Sequence, residues 1–100
     1  MAFKAAFIFI APETDEEIHN ATINAPVVQL YVVGVKTYQE AEGVARKLVE
    51  QGIEAIELCA GFGVEGVARI KAAVRGKALV GVVRFDNHPG FDFKSGDDLF

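Results

Sequence analysis

Residues 53–74, IEAIELCAGFGVEGVARIKAAV, combine the two periodicities that decide the fold. The first seven residues, 53–59, are a short apolar run of the kind found in buried strands. After the loop CAGFG at 59–63, apolar residues return at helical spacing: Val64, Val67, Ile70 and Val74. Gly76 then marks the end of the helix. This stretch therefore predicts a strand, a tight loop and a helix.

The same alternation of strands and helices extends in both directions from this stretch. Apolar, β-branched and aromatic runs predict three more strands, at 3–11, 25–35 and 78–85. Two sequences of the form Thr-x-x-Glu, which cap helix N-termini, begin at Thr14 and Thr37. They predict a short helix over 14–23 and a longer one that ends before Gly52, along which apolar residues again recur at helical spacing.

This order of elements, β-α-β-α-β-α-β, predicts an α/β fold. Helical connections between strands favour right-handed crossovers and a parallel sheet with helices on both faces. We therefore expect one domain, residues 1–100, built as a small three-layer sandwich of flavodoxin-like kind. Its sheet would be mainly parallel and four-stranded, with the first strand inside. A ferredoxin-like α+β sheet is the alternative, since one hairpin-like reversal would produce it.

The composition predicts self-association. Of the residues 51% are hydrophobic, and a chain of this size buries only about 65% of its unfolded surface. The turn-rich tail, 86–100, adds four large apolar side chains: Phe91, Phe93, Leu99 and Phe100. We therefore expect a homo-oligomer, most simply a two-fold dimer. In it the tail would either act as an oligomerisation arm or fold back over its own sheet.

Charge, hydropathy and cysteine content indicate which partners and which location to expect. The net charge of -4 disfavours nucleic acid, whose phosphates select basic surfaces. No membrane is expected, because no run approaches the roughly 20 apolar residues that span a bilayer. The single cysteine allows no internal disulfide and favours a cytoplasmic location. No histidine–cysteine pair has the spacing of zinc ligands, and we expect neither a metal nor a cofactor.

In a parallel sheet, ligands bind beyond the carboxyl ends of the strands. This rule brings the loops that follow the predicted strands, among them 59–63 and 84–90, to one edge. Gly61, Phe62 and Gly63 lie where a helix begins, and the two glycines can turn backbone N–H groups toward a bound anion. The alternative is that the glycines serve only a tight turn and close packing of helix on sheet.

Polar residues near the ends of neighbouring strands complete the predicted ligand-binding set. Glu57 and Arg84 interrupt otherwise apolar strands, and Asn87 follows in the next loop. If the two strands are neighbours, Glu57 and Arg84 can form a structural ion pair. Arg84 can instead clamp a carboxylate or phosphate, which predicts a small anionic metabolite as the ligand.

Two other functions fit the same residues. Cys59 precedes a helix N-terminus, where a thiol can be activated, and His88 with Asp86 could act as base and orienter in a small enzyme. A free cysteine is, however, usually a small buried hydrophobe. The remaining alternative is a structural protein whose work is self-assembly, with no small-molecule site. It predicts that the tail covers the strand ends.

Three stretches of the chain carry a further signal: the opening MAFKAAFIFIAPE, the middle GIEAIELCAGFGVEGVARI and the ending VGVVRFDNHPG…KSGDDLF. They resemble a family of short, uncharacterised prokaryotic proteins, which is classified as a domain of unknown function. The resemblance covers essentially the whole chain. It implies a stand-alone domain of this length, and it implies no activity and no role for any residue.

Overall fold

Five strands and two helices form the fold of the computed structural model, which describes residues 2–100. The strands are β1 (Phe3–Ile10), β2 (Asn20–Asn24), β3 (Val28–Val35), β4 (Ala55–Leu58) and β5 (Leu79–Val82). The helices are α1 (Tyr38–Glu50) and α2 (Val64–Val74). Two single turns of 3-10 helix, Pro89–Phe91 and Gly96–Asp98, shape the tail. The predicted α/β class is therefore confirmed.

The sheet is mixed, with the strand order β2-β3-β1-β4-β5. β1 lies at the centre and pairs in parallel with β3 and β4; β5 pairs in parallel with β4, and β2 pairs antiparallel with β3. The four-stranded flavodoxin-like layout is wrong, because the segment that connects β1 to β3 in sequence forms a fifth strand, β2, at the edge of the sheet. The observed order, β-β-β-α-β-α-β, also differs from the β-α-β-β-α-β order of a ferredoxin-like sheet.

The predicted helix over 14–23 does not form. Thr14 caps no helix, because its hydroxyl donates to the carbonyl oxygen three residues earlier at 2.9 Å. Asp15 closes a turn: its carboxylate accepts from the N–H two residues later, and its own N–H donates to Nδ1 of His19, both at 2.9 Å. Short polar side chains that bond the nearby backbone in this way compete with helix formation. The residues that follow extend instead and pair with β3 as β2.

The longest helix, α1, begins and ends as expected. The Thr37 side chain accepts a hydrogen bond from the Glu40 N–H at 3.1 Å. Gly52 follows the helix with a φ of 89°, in the left-handed region that glycine enters without strain. Four residues of the predicted five-residue apolar stripe, Ala41, Val44, Ala45 and Leu48, are buried, and the fifth, Val49, is half-buried.

Both helices pack on one face of the sheet, so the fold has two layers rather than the expected three. The strand order explains this result. The crossover from β3 through α1 to β4 and the crossover from β4 through α2 to β5 run in the same direction across the sheet. Right-handed crossovers in one direction place their helices on the same face. The core fills the space between, with its largest fully buried side chains at Ile8, Val33, Val35, Ile56, Leu58 and Ile70.

The other face of the sheet carries no helix, and we call it the open face. It is formed by every second residue of each strand, because side chains alternate between the two faces. The first such residue is Phe3 in β1, Ala21 in β2, Val28 in β3, Ala55 in β4 and Leu79 in β5. Its polar member is Glu57, which lies opposite Phe7 on β1 and Gly81 on β5. All its other positions are apolar residues or glycine.

Candidate functional site

The parallel strands end at one edge of the sheet, as predicted, and we call this edge the rim. Ala11 and Lys36 follow β1 and β3 there, loop 59–63 follows β4, and residues 83–88 follow β5. Because loop 59–63 leads directly into α2, the N-terminus of that helix faces the rim. The tail, 86–100, returns across the same edge.

The tail closes over loop 59–63 of its own subunit. Gly96 is buried against Gly61, so closely that a Cβ on Gly96 would overlap the Gly61 carbonyl oxygen. Aromatic rings extend the contact, because the centroid of Phe100 lies 5.4 Å from that of Phe91 and 6.2 Å from that of Tyr38. In the single chain the tail therefore packs on its own subunit and covers loop 59–63, as the self-assembly alternative predicts for the strand ends. Val82 and Arg84, at the end of β5, still line a cavity.

A carboxylate of the tail occupies the N-terminus of α2. Asp97 accepts hydrogen bonds from the Glu65 and Gly66 N–H groups at 3.1 and 3.2 Å, and from the Tyr38 hydroxyl at 2.8 Å. The Tyr38 oxygen in turn accepts from the Gly63 N–H at 3.0 Å. A Cβ on Gly63 would overlap the Asp97 carboxyl group, so this contact requires glycine there. The anion position that the sequence predicts at this helix is thus filled by the chain itself.

Tyr38 is a protonated donor in this network at neutral pH. Burial is the main cause that raises the pKa of Tyr38 above the usual value of a phenol; the Gly63 N–H opposes the shift, and the hydrogen bond to Asp97 adds to it. The Tyr38 ring also stacks on Phe62, with 5.7 Å between centroids. Tyr38, the first residue of α1, therefore contacts both the start of α2 and the tail.

Sequence reasoning missed both Tyr38 and Asp97. Tyr38 reads as an ordinary residue of a helix cap, and Asp97 as one of several acids in a turn-rich tail. The one local signal is Ser95-Gly96-Asp97-Asp98, because Ser95 and Asp98 form a reciprocal capping box. That signal predicts the turn in the tail, but it does not identify the helix that the Asp97 carboxylate reaches.

Beside this network lies a cavity of about 200 Å³, which we call the rim pocket. Loop 59–63, the first turns of α2, the end of β5 and the tail line it with Phe62, Gly63, Val64, Val67, Val82, Arg84, Phe85, Asp86 and Ser95. Most of this wall is apolar. Its charged end is an exposed ion pair, in which Arg84 Nε donates to Asp86 Oδ1 at 2.8 Å.

Some of the predicted ligand-binding residues line the rim pocket, and others lie outside it. Phe62, Gly63 and Arg84 line it, together with Asp86 from the predicted catalytic set. Gly61 is buried beneath the tail, and Asn87 is exposed and lies outside the lining.

Glu57 and Arg84 do not form the ion pair that the sequence suggested. Within residues 2–100, the ion pair of Arg84 is the one with Asp86. The register explains the separation, because Glu57 lies opposite Gly81 and belongs to the open face. Arg84, which follows the end of β5, lines the rim pocket with side chains of α2 instead.

Comparison with known protein families adds one finding. A family model described as a family of unknown function, DUF6506, matches residues 3–98 of the 100-residue chain. The chain belongs to this family. The match covers almost the whole length, so the resemblance to a domain of unknown function is confirmed. No curated protein and no solved structure matches the chain significantly.

In this member of the DUF6506 family, the three predicted catalytic residues have separate partners. Cys59 Sγ accepts from the Ile10 and Gly61 N–H groups at 3.3 Å each. His88 Nδ1 accepts from the backbone N–H two residues later at 2.9 Å, and Asp86 is paired as described above. Among residues 2–100, no hydrogen bond joins Cys59, His88 and Asp86 to one another.

Two further features of this DUF6506 chain concern metal-binding groups of side chains and membrane-spanning helices. No three His, Cys, Asp or Glu side chains within residues 2–100 are grouped so as to hold a metal ion. The helices contain 13 and 11 residues, and none in the described part of the chain has the length and apolar character to cross a membrane.

Proposed function

We propose that the protein binds a small anion with a short apolar body, such as a short-chain carboxylate, in the rim pocket. One observation carries this proposal: the pocket joins the Arg84 guanidinium to an apolar wall at the edge where parallel sheets bind ligands. The contacts of Cys59, His88 and Asp86 lend no support to the alternative of a small enzyme, so the proposal is binding rather than catalysis.

Arg84 supplies the anion-binding end of the pocket. An arginine has five N–H donors, and only Nε of Arg84 is engaged in a hydrogen bond among the described residues. The donors of the two terminal nitrogens can bind a carboxylate or phosphate by charge-assisted hydrogen bonds. Asp86 holds the guanidinium in place but also competes with an incoming anion. Removing the Asp86 charge should therefore tighten binding.

The apolar wall selects the rest of the ligand. Val64, Val82 and Phe85 are exposed, and exposed apolar side chains that cluster in a concave site mark a binding surface. The volume, about 200 Å³, equals that of six or seven waters at about 30 Å³ each. This size supports a short-chain carboxylate rather than a nucleotide or other large cofactor.

Thermal unfolding in the presence of acetate, butyrate or inorganic phosphate tests the proposal. A ligand at a hundredfold excess over its Kd adds about 2.7 kcal/mol to the free energy of unfolding. We expect butyrate to stabilise the wild type more than acetate, because only butyrate fills the apolar wall. Arg84→Ala should abolish this gain and Asp86→Asn should increase it.

Arg46→Ala is the matched control, since Arg46 is exposed on α1 and is not part of the rim pocket. It should leave the gain unchanged. If none of the three anions stabilises the wild type, or if Arg84→Ala keeps the full gain, the proposed function is wrong.

We also propose that the protein is a homo-oligomer, most simply a dimer, and that it works in the cytoplasm. Large apolar side chains that stay exposed in the single chain support the first point, and the single cysteine supports the second. Sedimentation equilibrium at micromolar concentration should give twice the 10.8 kDa mass of the chain. A monomer at that concentration would contradict the proposed assembly.

A further inference from the structure

We propose that the open face is the interface of a two-fold homodimer. This inference rests on the proposed self-association and deepens it by assigning the surface, and it is independent of ligand binding in the rim pocket. The open face presents apolar residues or glycine at every position except Glu57. Two of its side chains at opposite edges, Ile23 on β2 and Leu79 on β5, are 55% and 78% exposed in the single chain.

The alternation of apolar and polar residues in the edge strand β2 indicates which face of the sheet contacts another apolar surface. Ala21 and Ile23 of β2 point to the open face, whereas Asn20, Thr22 and Asn24 point to the side that carries the helices. A sheet with one solvated face places its polar residues on that face. Here the apolar residues point away from the helices, so the open face is built for contact with another apolar surface.

The size of the open face fits a second copy of the chain. Five strands spaced about 4.8 Å apart, averaging about six residues of about 3.3 Å, give a plan area of roughly 450 Å² per copy. Two faces together exclude about 900 Å² in plan, which lies below roughly 1,200 Å² and corresponds to the weak, reversible end of specific interfaces. An apolar sheet face can also pair with its own copy across a two-fold axis, which brings the same patch of both subunits together.

Charge favours a protein partner over a lipid surface. Peripheral membrane surfaces attract clusters of Lys and Arg, whereas the open face has no basic residue and the chain carries a net charge of -4. The one charge on the face, that of Glu57, lies opposite Phe7 on the central strand. Dimerisation would desolvate this carboxylate, which opposes association.

Charged substitutions at exposed positions test the interface without disturbing the core. Ile23→Asp and Leu79→Asp should each raise the Kd of the dimer at least about a hundredfold, because each places two buried charges in the interface. Ile18→Asp is the matched control, since Ile18 is 70% exposed but lies in the loop before β2, outside the open face. It should leave the Kd unchanged.

Glu57→Gln adds a test that a purely disruptive change cannot imitate, because we expect it to lower the Kd about tenfold by removing the buried charge. Sedimentation velocity gives these constants, and far-UV circular dichroism checks that each variant is folded. If the wild type is a dimer and folded Ile23→Asp and Leu79→Asp remain dimers, the open face is not the interface, although self-association stands. A monomeric wild type overturns both. Binding of the wild type to phosphatidylcholine vesicles, abolished by Ile23→Asp, would assign the face to a membrane instead.

Discussion

Asp97 should contribute measurably to the stability of the fold, because its three hydrogen bonds hold the tail on the rim. Asp97→Asn keeps one side-chain oxygen, which can still accept from the Tyr38 hydroxyl and the Gly66 N–H. The new amide nitrogen, however, faces the Glu65 N–H as donor against donor. The substitution therefore removes one hydrogen bond and the negative charge at the N-terminus of α2.

The expected loss follows from these two changes. A hydrogen bond contributes about 1 kcal/mol net, and a charge at a helix N-terminus about 0.3–1 kcal/mol. Asp97→Asn should therefore lower the free energy of unfolding by about 1–2 kcal/mol, and Asp97→Ala, which leaves all three donors without an acceptor, by about 2–4 kcal/mol. In a chain of this size the asparagine variant should lose roughly 5–15 °C in Tm.

Urea and thermal unfolding followed by circular dichroism measure this difference. Asp92→Asn is the control, because Asp92 is exposed, lies in the same tail and has a φ of 57° that asparagine tolerates. Its effect should stay within about 0.5 kcal/mol. If Asp97→Ala unfolds like the wild type, the Asp97 network does not hold the tail and the account of the rim is wrong.

Three other predictions follow from the contacts. Thiol labelling of Cys59 at pH 7 should be slow in the native protein compared with the urea-unfolded chain, because the sulfur is half-buried; equal rates would contradict this. Deleting residues 91–100 should lower Tm, since it removes Asp97 and exposes Phe62, yet leave the dimer intact; a monomeric truncated chain would instead make the tail part of the interface. The Arg69 hydrogen bonds hold the pKa of Glu42 below its usual value, so this pair stabilises the fold above the unfolded pKa of about 4.3 and loses its effect as pH falls through the folded pKa. The deficit of Arg69→Ala in urea unfolding should accordingly be present at pH 7 and shrink below about pH 4; a deficit that is constant with pH would contradict this assignment.

The parts of the fold that sequence reasoning predicted correctly are those with long, consistent patterns. α1 combines a cap at Thr37 with a five-residue apolar stripe, and the run from β4 to α2 switches period at a glycine-rich loop. The predicted helix at 14–23 was wrong because a capping signal without an apolar stripe is weak evidence for a helix. Thr14 and Asp15 use the same side-chain chemistry to form a turn instead.

The number of layers and the composition of the site could not be predicted from local patterns. The strand β1 reads as buried on both faces, but its second face belongs to the open face. An apolar run therefore does not reveal whether a helix or another subunit covers that face. The network of Tyr38 and Asp97 joins residues 59 positions apart in sequence. Such a contact depends on how the tail packs, which no spacing rule describes.

The most direct test of the central claim is a titration of the ¹⁵N-labelled protein with butyrate, followed by NMR. The proposed site predicts saturable shifts of the Gly63 and Val64 amide signals and of the Arg84 Nε–H signal. In Arg84→Ala the amide shifts should disappear, while in Arg46→Ala they should remain. Saturable shifts confined to other regions, or shifts at Gly63 and Val64 that persist unchanged in Arg84→Ala, would contradict the claim that the rim pocket binds a small anion through Arg84.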